Sequence, residues 1–146
     1  QLALATDIRI ATADCQFAIM EAKWGLVADM GLTQSAMGVL RADIVKELAM
    51  TARIFDGQQA FDYGVVSHLS DTPMEVAKNL VAELSNRSPD AILASKRITN
   101  AMYHTPATTL YQEKLWQIKL LLGQNRKLAV KKAKDETVKF IGRQFN

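Results

Sequence analysis

Three Ser/Thr-Pro pairs, Thr72-Pro73, Ser88-Pro89 and Thr105-Pro106, recur 16 and 17 residues apart, and they constrain the second half of this chain more than any other feature. Proline at the first helical position forfeits no intrahelical hydrogen bond and presets φ, while the Ser or Thr before it can accept one of the first free amide protons. Each pair therefore predicts the start of a helix of at most about 16 residues. Thr72-Pro73-Met74-Glu75 also has the spacing of a capping box, with Ala77, Leu80, Val81 and Leu84 supplying that helix's buried face. The third helix carries Leu110, Leu115, Ile118, Leu121 and Leu122 down to Gly123, with Met102, Tyr111 and Trp116 read as packing residues. A basic helix is predicted to follow, from Asn125 to Ile141.

The residues before Asp71 are more mixed. Gln1 to Ala5 is rich in helix formers and reads as the tail of a helix, and the alternation in Asp7-Ile8-Arg9-Ile10-Ala11 predicts a short strand. Gln16 to Met20 reads as a second extended piece. Helical spacing runs over Leu32–Val39 and Ala42–Thr51, interrupted near Gly38, with Ile44, Val45, Leu48 and Ala49 as an apolar stripe. Asp56 is positioned to cap a short helix through Phe61 that stops at Gly64, and Val65 to Leu69 returns as a strand in which His68 is structural. Strands alternating with helices predict crossover packing in an α/β arrangement over residues 1–70, and the change near Asp71 leads into an all-helical region, 71–146, with no linker between them.

With 146 residues, 49% of them hydrophobic and 23% charged, the chain can bury a real core. Cys15 is the only cysteine, and neither it nor His68 and His104 sit at metal-ligand spacing, so no metal site is expected. A reducing, cytoplasmic compartment is the default, no apolar run reaches the length of a membrane span, and no targeting signal opens the chain. It starts without methionine inside an apolar run, as a piece of a longer chain would. The net charge of +3 divides unevenly: residues 123–146 carry +5 and the remainder −2. Without aromatic interleaving or a glycine-rich phosphate loop, that basic tail reads as a solvated helical face rather than a nucleic-acid surface.

Chemistry is sought in Glu21-Ala22-Lys23-Trp24-Gly25-Leu26-Val27-Ala28-Asp29-Met30-Gly31, which sets two carboxylates eight positions apart in an apolar, glycine-punctuated stretch. The glycines favour an irregular turn over a straight helix. Such a turn could aim both carboxylates into one pocket, where two acid/base groups can pass a proton between neighbouring atoms of a substrate. The plainer reading has Asp29 capping a helix and Glu21 solvated at a strand end.

Leu2 through Ala11, Phe17 through Gly31, Thr51-Ala52-Arg53 with Ala60, Gly64-Val65-Val66, and Ser88-Pro89 with Lys96 together resemble the carboxy-terminal half of the enoyl-CoA hydratase/isomerase, or crotonase, superfamily over nearly the whole chain. The resemblance implies the second half of a spiral of ββα turns over 1–70. Over 71–146 it implies a helical region that builds homotrimers or dimers of trimers and helps bind acyl-CoA. It also implies acyl-CoA thioester substrates, with coenzyme A part of the substrate and no separate cofactor. The backbone N–H pair that holds the thioester oxygen in this family would lie before Gln1, so the chain alone is expected to be inactive. Gln1 falls where hydratases carry a glutamate and dienoyl-CoA isomerases an aspartate. Glu21 falls on the shared acid/base glutamate, and Asp29 where hydratases usually have glycine and dienoyl-CoA isomerases a catalytic aspartate. The pattern is closest to dienoyl-CoA isomerases, which implies a double-bond shift with Glu21 and Asp29 catalytic. Hydration is the alternative, and a non-catalytic acyl-CoA-binding member a third reading, because the Gln1 amide cannot take up a proton in this pH range. Gln1 is a candidate substrate-binding residue, as are Lys139 and Arg143 toward the phosphates of coenzyme A.

Overall fold

The computed structural model describes residues 1–24, 26–103 and 106–145, and the side chains of all of these except 103, 106–110, 112 and 113. Gly25, His104, the Thr105 cap and the Leu110 side chain, all named above, lie outside the described residues. The chain divides into two compact units, Gln1–Lys78 and Asn79–Asn146.

In the first unit a 3-10 turn, Ala3–Ala5, stands where a helix tail was expected, and it leads to β1 (Ile10–Ala11). A second 3-10 turn, Glu21–Trp24, precedes α1 (Leu32–Ala36), α2 (Ala42–Thr51), α3 (Gly57–Asp62) and β2 (His68–Leu69). β1 and β2 pair in parallel, with Ile10 opposite His68 and Ala11 opposite Leu69. A parallel pair needs a crossover connection, and the stretch carrying α1 to α3 supplies it. Both strands are shorter than the alternation predicts. Around the paired residues the amides of Ser67 and His68 donate to the Arg9 carbonyl and the Ser70 amide to that of Ala11, and side-chain bonds add to these: the Arg9 guanidinium donates to the carbonyls of Val65 and Thr6, and the Arg9 amide donates to Ser67 Oγ at 3.3 Å. The extended piece Gln16–Met20 likewise pairs at one point only, Phe17 with Phe55, where amide and carbonyl are exchanged at 2.9 and 3.0 Å and the rings stack with centroids 5.7 Å apart.

The helices of this unit follow local chemistry. α2 puts Leu48 at 1% exposure in the core with Ile44, Val45 and Ala49 packed around it, and full burial of such a leucine contributes about 1.5–3 kcal/mol. Asp56 caps α3 by accepting from the Gln59 amide at 2.8 Å, while Gln59 Oε1 accepts in return from the Asp56 amide at 3.1 Å. Gly64 ends that segment at φ +82°, a conformation costly for other residues. The amides of Gly57 and Gln58 both donate to the Ala13 carbonyl, so the start of α3 is docked on the loop before Phe17. Leu4, Ile19, Leu32, Ala36, Phe55, Val65 and Val66 complete one contiguous core.

α4 (Pro73–Ser85) begins at its proline, but the capping box does not form. The Glu75 amide donates to the Thr72 backbone carbonyl, and Ser70 Oγ lies 3.4 Å from the Thr72 hydroxyl. Its expected buried face is not buried either: Ala77 and Leu80 are half-covered, and Val81 and Leu84 are exposed. In the second unit Ser88 caps α5 (Pro89–Asn100) through the Ala91 amide, and α6 (Pro106–Leu122) packs on it. Trp116 of α6 is buried, with the Arg97 guanidinium 4.8 Å from its ring centre. Met102 and Tyr111, expected to pack, are instead more than 60% exposed.

The basic helix ends early: α7 spans Gln124–Lys132, and residues 133–145 are irregular. A buried polar network holds that tail. Asn125 Nδ2 donates to Asp90 Oδ2 at 2.7 Å and to the carbonyls of Ile141 and Gly142, and Asn125 Oδ1 accepts from the Ile141 amide. Asp90 Oδ1 accepts from the amides of Gln144 and Phe145. These partners give the tail hydrogen bonds that a continued helix would otherwise have made within itself.

Candidate active site

Glu21 is brought into place by what precedes it. Phe17 is pinned to Phe55, Ile19 is buried in the core two residues before Glu21, and the chain then tightens into the 3-10 turn, closed by the Lys23 amide on the Met20 carbonyl at 3.1 Å. The Leu26 amide returns to the Glu21 carbonyl at 3.0 Å, so the turn is irregular, as the glycine punctuation predicts. Gly31, at φ +79°, starts α1 and accepts from the amides of Gln34 and Ser35, which fixes the far side of the site.

The structure brings Gln1 to Glu21 across 20 positions of sequence: Gln1 Nε2 donates to Glu21 Oε1. Gln1 Oε1 accepts from the Met30 backbone amide at 3.0 Å. The second carboxylate oxygen, Glu21 Oε2, is buried without a hydrogen-bond partner and is the only such side-chain atom among the described residues. Asp29, by contrast, is exposed, and no hydrogen bond joins its carboxylate to Glu21. It does not cap α1, whose cap position is Gly31. The two carboxylates the sequence sets eight positions apart thus occupy different environments, one sheltered and held, the other in solvent. Sequence reasoning singled out Gln1 but missed its bond to Glu21 and the part of the Met30 amide, because neither leaves a signal in residue type.

Lys139 and Arg143, in the second unit, are exposed. They line neither of two cavities found in that unit among the described residues, of about 430 and 200 Å³, the larger walled by Arg87, Ser88, Lys132, Glu136 and Phe140. No three His, Cys, Asp or Glu side chains among the described residues gather as a metal ion would require.

The helices and the parallel pair of this chain have the crotonase fold of solved enoyl-CoA hydratases. The chain superimposes on the crystal structure of an enoyl-CoA hydratase from Mycobacterium tuberculosis H37Rv with a TM-score of 0.86 at 27% identity, covering 97% of this chain and 57% of that one. It superimposes on an enoyl-CoA hydratase from Mycobacterium marinum with a TM-score of 0.85 at 26% identity, covering 95% and 57%. The enoyl-CoA hydratase/isomerase family model matches residues 1–134, and the chain belongs to that family. A carnitinyl-CoA dehydratase of Citrobacter koseri is 34% identical over 114 residues, 77% of this chain and 44% of that protein. Its counterpart in Salmonella typhimurium strain LT2 is 35% identical over the same shares. The chain therefore spans about half the length of the curated relatives it matches.

Proposed function

We propose that the natural-length protein containing this chain adds or removes water across the C2–C3 bond of an acyl-CoA thioester, with Glu21 as its single acid/base group. The observation that carries this is the state of the Glu21 carboxylate: one oxygen held by Gln1, the other buried and without a partner. An unpaired buried carboxylate oxygen is costly, and a substrate proton is the partner such a group can take. In the dehydration direction the Glu21 carboxylate removes a proton from C2 of a 3-hydroxyacyl thioester, leaving an enolate. That electron pair forms the C2=C3 bond as the C3–O bond breaks, and Glu21 returns its proton to the departing oxygen. Water leaves, and Glu21 is again a carboxylate.

The enolate needs preorganised donors on the thioester oxygen. On the family resemblance they are expected before Gln1. The names of the carnitinyl-CoA dehydratases support the same class of reaction. Coenzyme A recognition by Lys139 and Arg143 and assembly as a homotrimer or dimer of trimers belong to the same proposal. Both cations are exposed, phosphate groups favour Lys and Arg, and α4 and α6 leave Val81, Leu84, Ile118 and Leu121 exposed as apolar surface.

A second reading, the double-bond shift using both Glu21 and Asp29, is favoured by one observation: Asp29 adjoins Met30, whose amide closes the Gln1 bridge to Glu21. One experiment separates the two. In the natural-length protein, Glu21→Gln should lower kcat for 2-enoyl-CoA hydration by at least ~10²-fold, the usual contribution of a positioned acid or base. Asp29→Asn should leave it nearly unchanged. An equal collapse in both variants, together with fast 3,5-dienoyl-CoA isomerisation by the unaltered protein, would replace the single-base reading with the paired one.

A further inference from the structure

Gln1 sits between the two halves of the site with both ends of its side chain engaged. A carboxylate only accepts hydrogen bonds and a backbone N–H only donates, so a carboxamide can satisfy both at once in one orientation only: nitrogen toward Glu21, oxygen toward Met30. That is the orientation found, with Nε2 donating to Glu21 Oε1 and Oε1 accepting from the Met30 amide at 3.0 Å. A carboxylate at this position would suit Met30 but face Glu21 with a like charge.

We propose that Gln1 is a positioning residue for Glu21: its carboxamide ties the Glu21 carboxylate to the Met30 backbone and leaves Oε2 as the oxygen presented to the reacting atoms. The inference rests on the Glu21 reading above and assigns Gln1 a role other than substrate contact. Both anchors are themselves fixed. Glu21 follows the buried Ile19, and Met30 precedes Gly31, whose carbonyl accepts the first amides of α1. The bridge therefore links two parts of the first unit through one side chain, and it holds the base in one orientation before substrate arrives. Misplacing a reacting group by about 1 Å can cost ~10²-fold in rate, which sets the scale of the effect.

The test uses the natural-length protein, steady-state hydration of a 2-enoyl-CoA, and three variants. Gln1→Met keeps the length of the side chain and removes both hydrogen bonds. It should lower kcat by roughly 10- to 100-fold with KM within about twofold, since the base remains but is no longer held. Gln1→Leu removes the same two bonds with a differently shaped side chain and should show the same loss of kcat at the same KM, a split that a substrate contact would not give. Should Gln1→Met not fold, as read by its circular dichroism and melting temperature, Gln1→Leu decides alone. Unchanged kcat in the folded variant, or a raised KM with kcat intact, would each overturn the inference while a dead Glu21→Gln kept the Glu21 reading. Near-normal turnover in Glu21→Gln would overturn both.

Discussion

Asn125→Ala should loosen the hold of the second unit on its carboxy-terminal tail at a cost of about 2–4 kcal/mol. Asn125 is 0% exposed and Asp90 is 1% exposed, so neither can exchange a lost partner for bulk water without local opening. The substitution removes the 2.7 Å bond to Asp90 Oδ2, and a hydrogen bond to a carboxylate is worth about 1.5–3 kcal/mol. It also takes from the partly buried Ile141 amide its 3.1 Å acceptor, at a further cost of about 0.5–1.5 kcal/mol for an ordinary hydrogen bond. The bonds to the carbonyls of Ile141 and Gly142, at 3.2 and 3.3 Å, are long and add little. Native-state hydrogen exchange is the suitable assay, because it reads opening of the tail separately from global unfolding. The amides of Ile141, Gln144 and Phe145 should lose about 2–4 kcal/mol of protection, while amides of α2 in the first unit keep theirs. A loss below ~1 kcal/mol at those three amides would refute the reasoning, since the network would then be worth no more than one exposed hydrogen bond.

Gly57→Ala should destabilise the first unit by about 3 kcal/mol, the upper end of overpacking costs, because an added Cβ would lie 2.0 Å from the Thr12 carbonyl oxygen and backbone there cannot step aside. Urea denaturation checks it, and a loss under ~1 kcal/mol would show that α3 can redock. The Thr137 hydroxyl and amide, at 2.6 and 3.0 Å, hold the Asp135 carboxyl below its ordinary range, so its small stabilising effect is present above the ordinary value and lost as pH falls through the lowered one. Thr137→Val should move the Asp135 titration upward, read by carboxyl carbon NMR.

The sequence by itself determined the parts of this protein that depend on near neighbours. Ser88-Pro89 starts α5 at Pro89 and Asp56 caps α3, because capping bonds and the fixed φ of proline act within one turn. Gly38 and Gly64 follow the segments they were expected to interrupt or end, and the stripe of α2 buries Leu48, because helical periodicity decides which side chains share a face. Only the tertiary structure decided the rest. The same capping logic failed at Thr72, where Ser70 meets the hydroxyl, and the periodicity of Val81 and Leu84 could not reveal whether anything covers them. The early end of α7 rests on partners 16 to 55 positions away, Asn125 and Asp90, which no local pattern in residues 133–145 announces. The site divides the same way. Glu21 and Asp29 stood out by type and spacing, but which of them is sheltered depends on the closure of the chain that brings Gln1 across 20 residues to Glu21 and its other end to Met30. Hydrogen bonds between distant residues are fixed by where the core places their backbones, and that placement exists only once the chain has folded.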